Sequence, residues 1–546
     1  MMTLALLAVA FCGTFESGLT GWEMVNYKDR AVFAPREIAG ERVVSVTRSP
    51  SAGEKGGTAW ELRGAQFAVT PGERLSVTVK ARGTVEQMFA PNGFKGLYMT
   101  CVRWYGADGK ELVGRHTGFG LDLVPSVWQY SFARMTVPKG AATARVTLGA
   151  DTPNITAKDE IAIASVTAEA FPAEGVAGTS LRADGTVLVD GKPFFPIGIY
   201  GVRKNDFNGQ SFDRAVADLK ALGFNTVQRH GVLPKEDYEE FLAAVEKHGM
   251  MTFTMPVSNY AKDIFTEGTV RDYRDRKCIL AWYLADDTSS YAKPETVALR
   301  RDIVRQLDPD RLTLQADAEM LDDRFDRYAA YVHATDVFLP ELYPCRSKQA
   351  SGAEVASVVR DMELIRADIR AAGNPVKSVW PIIQHFDGWG WERFPTFAEL
   401  RAMSWASIVH GGRGIVWYTY GSGNPKNRGV TADPQYWKEI GAVCGEIAAV
   451  QNDLLALDAE RQPSVRVTDG PEEDALSQPS VSCLLKTGGE PLLVAANAST
   501  NAVTALIGVS GYAHVEVLGE GRTLDAAKVL SDVFEPYAVH LYRLKP

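Results

Sequence analysis

The chain has 546 residues, a net charge of −9 and a sequence pI near 5.6. That length exceeds what one hydrophobic core serves and predicts about three domains of roughly 100–250 residues each. The acidic balance argues against a nucleic-acid or anionic-membrane surface, which needs a basic patch, while an aromatic content of 10% suits stacking on neutral sugar rings.

The N-terminal "MMTLALLAVAFCG" sets a short apolar run beside the small residues Ala8 and Ala10. Residues 1–12 resemble a signal peptide, short and without a positive leading region, so a secreted, periplasmic or cell-surface location is the expectation. Phe11 stands before Cys12, where a lipobox needs a small residue. The six cysteines are far apart and form no Cys-x-x-Cys pair, which predicts buried free thiols in place of a zinc site or disulfide framework. No later stretch reaches the ~20 apolar residues of a membrane span.

Residues 13–173 alternate in "RLSVTVKARG", "LYMTCVRWYG", "WQYSFARMTVP" and "ATARVTLGA", with turn residues between. Period-two patterning without a helical repeat predicts a β-sandwich. "GTFESGLTGWEM" and "VWQYSFARMTVPKGAATARVTLGA … DEIAIASVTAE" resemble the jelly-roll carbohydrate-binding modules attached to glycosidases. Trp22, Trp60, Tyr98, Trp104 and Trp128 are candidates for sugar stacking, with Trp22 and Trp128 assigned to the core.

After the linker "AFPAEGVAG", residues 174–453 repeat one unit: apolar strand, polar loop, amphipathic helix. The predicted strands are "FPIGIY", "FNTVQRH", "MMTFTMPV", "ILAWYLAD", "RLTLQAD", "TDVFLPELY", "KSVWPIIQHF" and "GRGIVWYTYG". In the helix "SFDRAVADLKALG", Phe212, Ala215, Val216, Leu219 and Leu222 fall on one face. Continuous apolar strands alternating with helices argue a (β/α)8 barrel. An open doubly wound sheet is the alternative, but the Gly-rich loop expected after its first strand is absent from the sequence. Residues 454–546 return to alternation in "PSVSCLLKTGG", "PLLVAANAST" and "YAVHLYRL", predicting a small C-terminal β-sandwich without chemistry of its own.

Barrel chemistry sits at the C-terminal ends of the strands. Those ends collect Gln228, Arg229 and His230; Asp286 and Asp287; Gln315 and Asp317; Glu341 and Tyr343; Gln384, His385 and Asp387; Trp417, Tyr418 and Tyr420. So many polar groups on one rim of an otherwise oily barrel point to an active site. No His/carboxylate spacing suggests a metal, and no cofactor is called for.

"VDGKPFFPIGIYG", "AWYLADDT" and "GRGIVWYTYG" resemble the corresponding segments of clan A-like glycoside hydrolases, over residues 180–450. That resemblance implies an acid/base after the fourth strand and a nucleophile after the seventh. Asp287 matches the acid/base position, one methylene shorter than the usual Glu. Gln384 stands where the nucleophilic Glu is expected, and Gln cannot be a nucleophile, so the chain departs from the pattern.

Glu341 on the sixth strand, or Asp387 and Glu392 in "HFDGWGWER", are the carboxylates able to fill the gap. Glu341 is preferred, because a strand end positions a group better than a loop; a strand-four and strand-six pair also serves the α-galactosidase clan. A distant pair leaves room for water and favours inversion. Asp286 has a structural bond as its competing role, and Glu341 an ion pair with Arg229. Asp286, Arg229, His230, Gln384, His385 and Asp387 are expected to hold the sugar, and Tyr343, Trp417 and Tyr420 to stack on it.

The expected function is hydrolysis of glycosidic bonds in a poly- or oligosaccharide, with Asp287 and Glu341 catalytic. Two rivals stand beside it. One is a non-catalytic glycan-binding protein on a degenerate barrel. The other is a polysaccharide lyase using Tyr343 or His230 as base on a uronic acid held by Arg229.

Overall fold

The structure, a computed structural model, describes residues 8–26, 29–50, 58–83, 98–112, 117–121, 128–152, 160–171, 178–204, 211–229, 231–232, 234–259, 264–265, 267–317, 328–421, 426–526 and 528–545. The chain divides into two compact units, Met1–Val176 with Ala298–Pro309, and Ala177–Val297 with Asp310–Pro546.

In the first unit, two antiparallel sheets face each other. One orders Gln129–Thr136, Arg74–Gly83, Glu160–Phe171, Glu41–Arg48 and Ala31–Ile38, with Ala8–Thr14 also on Glu160–Phe171. The other orders Glu23–Asn26, Thr58–Arg63, Thr143–Thr152, Tyr98–Tyr105 and Thr117–Leu121, with Phe67–Ala68 on Thr143–Thr152. The Ala8–Thr14 strand begins inside the segment that resembles an export signal. Every second residue of the inner faces is apolar, so Val44, Leu62, Val77, Val79, Val102, Val146 and Val166 share one core. Trp60 and Trp104 belong to that core and are no surface platform. Trp22 stacks on Phe15, and half-buried Trp128 lies under the Lys80 ammonium. The side chain of Tyr98 lies outside the described residues.

The second unit holds the barrel. Its parallel strands are Ile197–Ile199, Thr226–Val227, Met251–Thr254, Ile279–Ala285, Leu312–Asp317, Val337–Leu342, Ile382–Gln384 (with Ser378–Val379 just before it) and Ile415–Tyr418. Pairing of Ile197–Ile199 with Ile415–Tyr418, and of Leu312–Asp317 with Val337–Leu342, closes the ring. This is the eight-stranded (β/α)8 barrel expected from the strand–helix alternation.

Its interior is packed by Phe253, Ala281, Tyr283, Leu314, Leu339, Ile382 and Val416. Every residue of Ile279–Ala285 is buried, as expected for a strand covered on both faces. The helix Phe212–Leu222 buries the predicted stripe Phe212, Ala215, Val216 and Leu219. Ser211 caps its start by accepting from the Arg214 N–H, and Gly223 ends it in the left-handed conformation. A three-stranded sheet, Thr179–Leu181, Val187–Val189 and Lys192–Phe194, covers the barrel floor, where Thr179 Oγ1 donates to the Leu280 carbonyl and accepts from Leu312 N–H.

The C-terminal sandwich belongs to the same compact unit. A six-stranded and a three-stranded antiparallel sheet share a core of Leu493, Ala495, Val503, Ile507, Leu530 and Tyr542. Arg401 joins it to the barrel helices: its guanidinium pairs with Glu446 and donates to the Val539 carbonyl at 2.9 Å. Among the described residues, no helix is long and apolar enough to cross a membrane.

Candidate active site

The fourth strand delivers two carboxylates. Inward-facing Tyr283 donates its phenol proton to Asp286 Oδ1, which orients that carboxylate. Asp287 follows in the left-handed region at φ 44°, a conformation uncommon outside glycine that Asp tolerates better than most residues, and its surroundings hold it there. Those surroundings are visible. The next turn, Thr288–Tyr291, is pinned by Asp317, whose Oδ1 accepts from Ser289 N–H at 3.1 Å and from Ser289 Oγ at 2.7 Å. Tyr331 adds a bond to the Ala292 carbonyl at 2.7 Å. Burial, then the charges of Asp286 and Asp317, push the Asp287 carboxyl up to about 6.

Glu341 and Tyr343 end the sixth strand on its inward face. Tyr343 is buried below the rim, and Tyr418, on the eighth strand, is its neighbour at 5.9 Å between ring centroids. Both phenols are raised by burial first, and then by the negative charges of Glu341 and Asp286; Tyr418 also feels Asp287. One tyrosine pair therefore sits in the field of three carboxylates, two from the fourth strand and one from the sixth. Arg203 opposes that field at Tyr418, and it is exposed.

The seventh strand brings no carboxylate to this mouth. Gln384 is fully buried and works as a loop staple. Its Oε1 accepts from Cys345 N–H at 2.8 Å, and its amide faces the carbonyls of Phe386 and Arg393 at 3.2 and 3.3 Å. Phe386 is the seventh-strand side chain that reaches the tyrosines, edge-on to Tyr343 and Tyr418. Asp387 forms a two-point pair with Arg428, and their backbones bridge. Glu392 accepts from the Lys348 N–H at 3.1 Å.

Several residues expected to touch substrate are placed elsewhere. His385 faces away from the barrel interior, fully buried against Phe394 and Tyr436, and burial lowers its imidazole to about 4. Trp417 lies on the helix side of its strand: its indole N–H donates to Ser404 Oγ at 3.1 Å and its ring meets Phe224. Tyr420 is buried beside Trp437. Arg229 donates to the Gly231 carbonyl at 2.7 Å, stands 3.9 Å from Asp237 and lies over the Phe212 ring. His230 lies outside the described residues.

One rim feature stands outside the expected set. The tight turn Gly388–Trp391 closes on itself, with Gly388 N–H bonding the Trp391 carbonyl and the reverse bond matching it, both at 2.8 Å. Only glycine fits position 388, because φ is 106° and a Cβ there would stand 2.3 Å from Asn427 Oδ1. Trp389 rides on this turn at φ 48° with 49% of its surface exposed. Its ring lies 5.9 Å from that of Tyr418 and 5.8 Å from that of Phe386. The repeat Gly-Trp-Gly-Trp in "DGWGWE" was the signal for it. Across the barrel, at its floor, a cleft of about 780 Å³ is lined by Asp184, Glu363, His410, Arg413 and Asp458, where Arg413 pairs with Asp458 and the His410 ring hydrogen-bonds Glu363.

No family model matches the sequence, and no curated protein matches it. Solved structures that resemble the chain include a glycoside hydrolase family 5 protein from Bacteroides vulgatus, 13% identical with a TM-score of 0.46, over 67% of this chain and 93% of that one. An endo-beta-1,4-mannanase from Thermotoga petrophila is 12% identical with a TM-score of 0.34, over 62% of this chain and 96% of that one. The enzymatically active domain of tailspike protein 4 from bacteriophage CBA120 is 14% identical with a TM-score of 0.23; the match spans 29% of this chain and 21% of that one. At these identities and scores, the functional reading rests on the chain's own geometry.

Proposed function

We propose that the protein is a glycoside hydrolase whose general acid is Asp287 and whose second carboxylate is Glu341. The carrying observation is Asp287 itself: a half-buried carboxyl raised to about 6, at the open end of a barrel strand, held in a left-handed conformation beside a pinned turn. A carboxyl lifted toward neutrality keeps a protonated fraction in mildly acidic solution, which leaving-group protonation needs. In the reaction, the Asp287 proton passes to the glycosidic oxygen as the bond from that oxygen to the anomeric carbon breaks. Glu341 either takes a proton from the water that attacks that carbon or attacks it directly. Asp286, oriented by Tyr283, lies beside Asp287 and contributes to raising its carboxyl.

The seventh strand motivates a second reading, a glycan-binding barrel without turnover, because Gln384 and Phe386 occupy the positions nearest the missing nucleophile. The lyase reading has less support: Tyr343 is buried and raised, and Arg229 is engaged with Gly231 and packed on Phe212. Reducing-end release from a broad glycan panel, with Asp287→Asn and Glu341→Gln alongside, separates the readings. Release lost in both variants supports the hydrolase. Release that survives Asp287→Asn removes Asp287 from the acid role, and an unsaturated product absorbing in the near ultraviolet indicates elimination.

A further inference from the structure

We infer that Trp389 is the sugar-stacking platform of this site, and that the Gly388–Trp391 turn exists to hold its indole over the mouth for a hexopyranose ring with C–H groups on one face. This inference rests on the glycan-directed reading of the same site and names the group that selects the substrate.

Trp389 is half exposed, whereas Trp282, Trp380, Trp405 and Trp417 of the barrel are fully buried. Exposure alone says little, since single exposed apolar residues are common. Three further observations point the same way. The backbone is held in a left-handed conformation that tryptophan rarely adopts, and it is held firmly: Asn427 Oδ1 accepts from Trp389 N–H at 2.9 Å, and the two-point Asp387–Arg428 pair ties the turn's start to the loop after the eighth strand. Strain kept in place by its surroundings marks a position selected for something other than stability.

Against the indole lies a cluster of aromatic side chains in edge-on and tilted contact. Trp389 contacts Phe386 and Tyr418, Trp391 contacts Phe386 and Tyr343, and Trp391 Nε1 donates to the Tyr343 carbonyl at 2.6 Å. The platform is therefore rigid, so little ordering is required when a ligand arrives. Finally, Trp389 borders Tyr418, the phenol that feels Asp286, Asp287 and Glu341 together. A ring stacked on the indole would lie beside the carboxylates. An apolar face flanked by acids fits a sugar, which offers C–H groups to the ring and hydroxyls to the carboxylates.

The test uses the full-length protein and three probes: galactomannan, xyloglucan and polygalacturonate. N-bromosuccinimide oxidation of Trp389, followed by peptide mass spectrometry, reads the site locally. At least one probe is expected to protect Trp389. On that probe, Trp389→Gly in an Asp287→Asn background should bind at least about tenfold more weakly, the scale of losing an aromatic anchor, with Trp389→Phe restoring part of the loss. Glycine tolerates the local φ, so the variant should keep its melting temperature.

Failure of all three probes to protect Trp389 overturns the inference. So does a probe that the wild type hydrolyses with Trp389 oxidation unchanged and Trp389→Gly kinetics unchanged; the hydrolase reading then stands alone. Protection and Trp389-dependent binding without reducing-end release uphold the platform and refute the hydrolase.

Discussion

Replacing Asp287 with Asn should stabilise the protein at neutral pH, although it removes the proposed acid. The carboxyl is raised from about 3.8 to about 6 because folding takes it out of water and sets it beside Asp286 and Asp317. A folded-state pKa above the unfolded one means that the folded protein prefers the protonated form. The contribution of this carboxyl to stability is then fully present below about pH 4 and is lost as pH rises through about 6. Two pKa units correspond to roughly 3 kcal/mol, which partial solvent access reduces to about 2 kcal/mol. Asn keeps the shape and drops the charge, so it should recover most of that. For a compact unit as large as the barrel with its C-terminal sandwich, about 2 kcal/mol is roughly 3 °C in melting temperature. Calorimetry of both proteins at pH 7.5 and pH 4 is the assay. The expected result is a higher Tm for Asp287→Asn at pH 7.5 and near-equality at pH 4. A variant that melts lower than wild type at pH 7.5 would show that Asp287 is held ionised by a favourable partner, and the general-acid argument would fall.

Two other substitutions probe the barrel wall. Gln384→Glu restores a carboxylate to the seventh strand, yet it should give no gain in hydrolysis. It removes the amide donor that faces two loop carbonyls and buries a charge, for an expected loss of roughly 3 kcal/mol or more in denaturant unfolding. Trp417→Ala should act as a core deletion costing about 3–5 kcal/mol, visible in chemical denaturation, because its indole is fully buried between strand and helices.

The barrel was legible because its signal is redundant. Eight oily runs alternate with amphipathic helices, and each run has to be buried on both faces wherever it lies in the ring. The fourth-strand acids were legible for a similar reason, since a charged pair directly after seven buried residues can only lie at the strand's open end. The flanking sandwiches followed from alternation alone, but alternation does not separate an inward tryptophan from a surface platform. Trp60 and Trp104 were open to either reading until the facing sheet was in place.

The rim residues were harder because function there depends on parity. Adjacent residues at a strand end point to opposite sides of the barrel wall, and a chain of letters does not say which side is which. Val416 fills the interior, which sends Trp417 to the helices and brings Tyr418 to the mouth. Ile382 also points inward, and the same parity turns His385 outward and presents Phe386. Gln384 has the inward parity, but the loops after the sixth and seventh strands claim its amide, a contact between segments far apart in sequence. Trp389 depends on neither parity nor composition. Its place follows from a glycine whose missing Cβ lets Asn427 and Lys426 close on the turn, so the platform is set by backbone approach. A mouth with acids on the fourth and sixth strands, and aromatics on the seventh and eighth, separates proton chemistry from ring recognition around its circumference. Asp287→Asn and Trp389→Gly should therefore fail in different ways, one in turnover with binding kept, the other in binding with the acid intact.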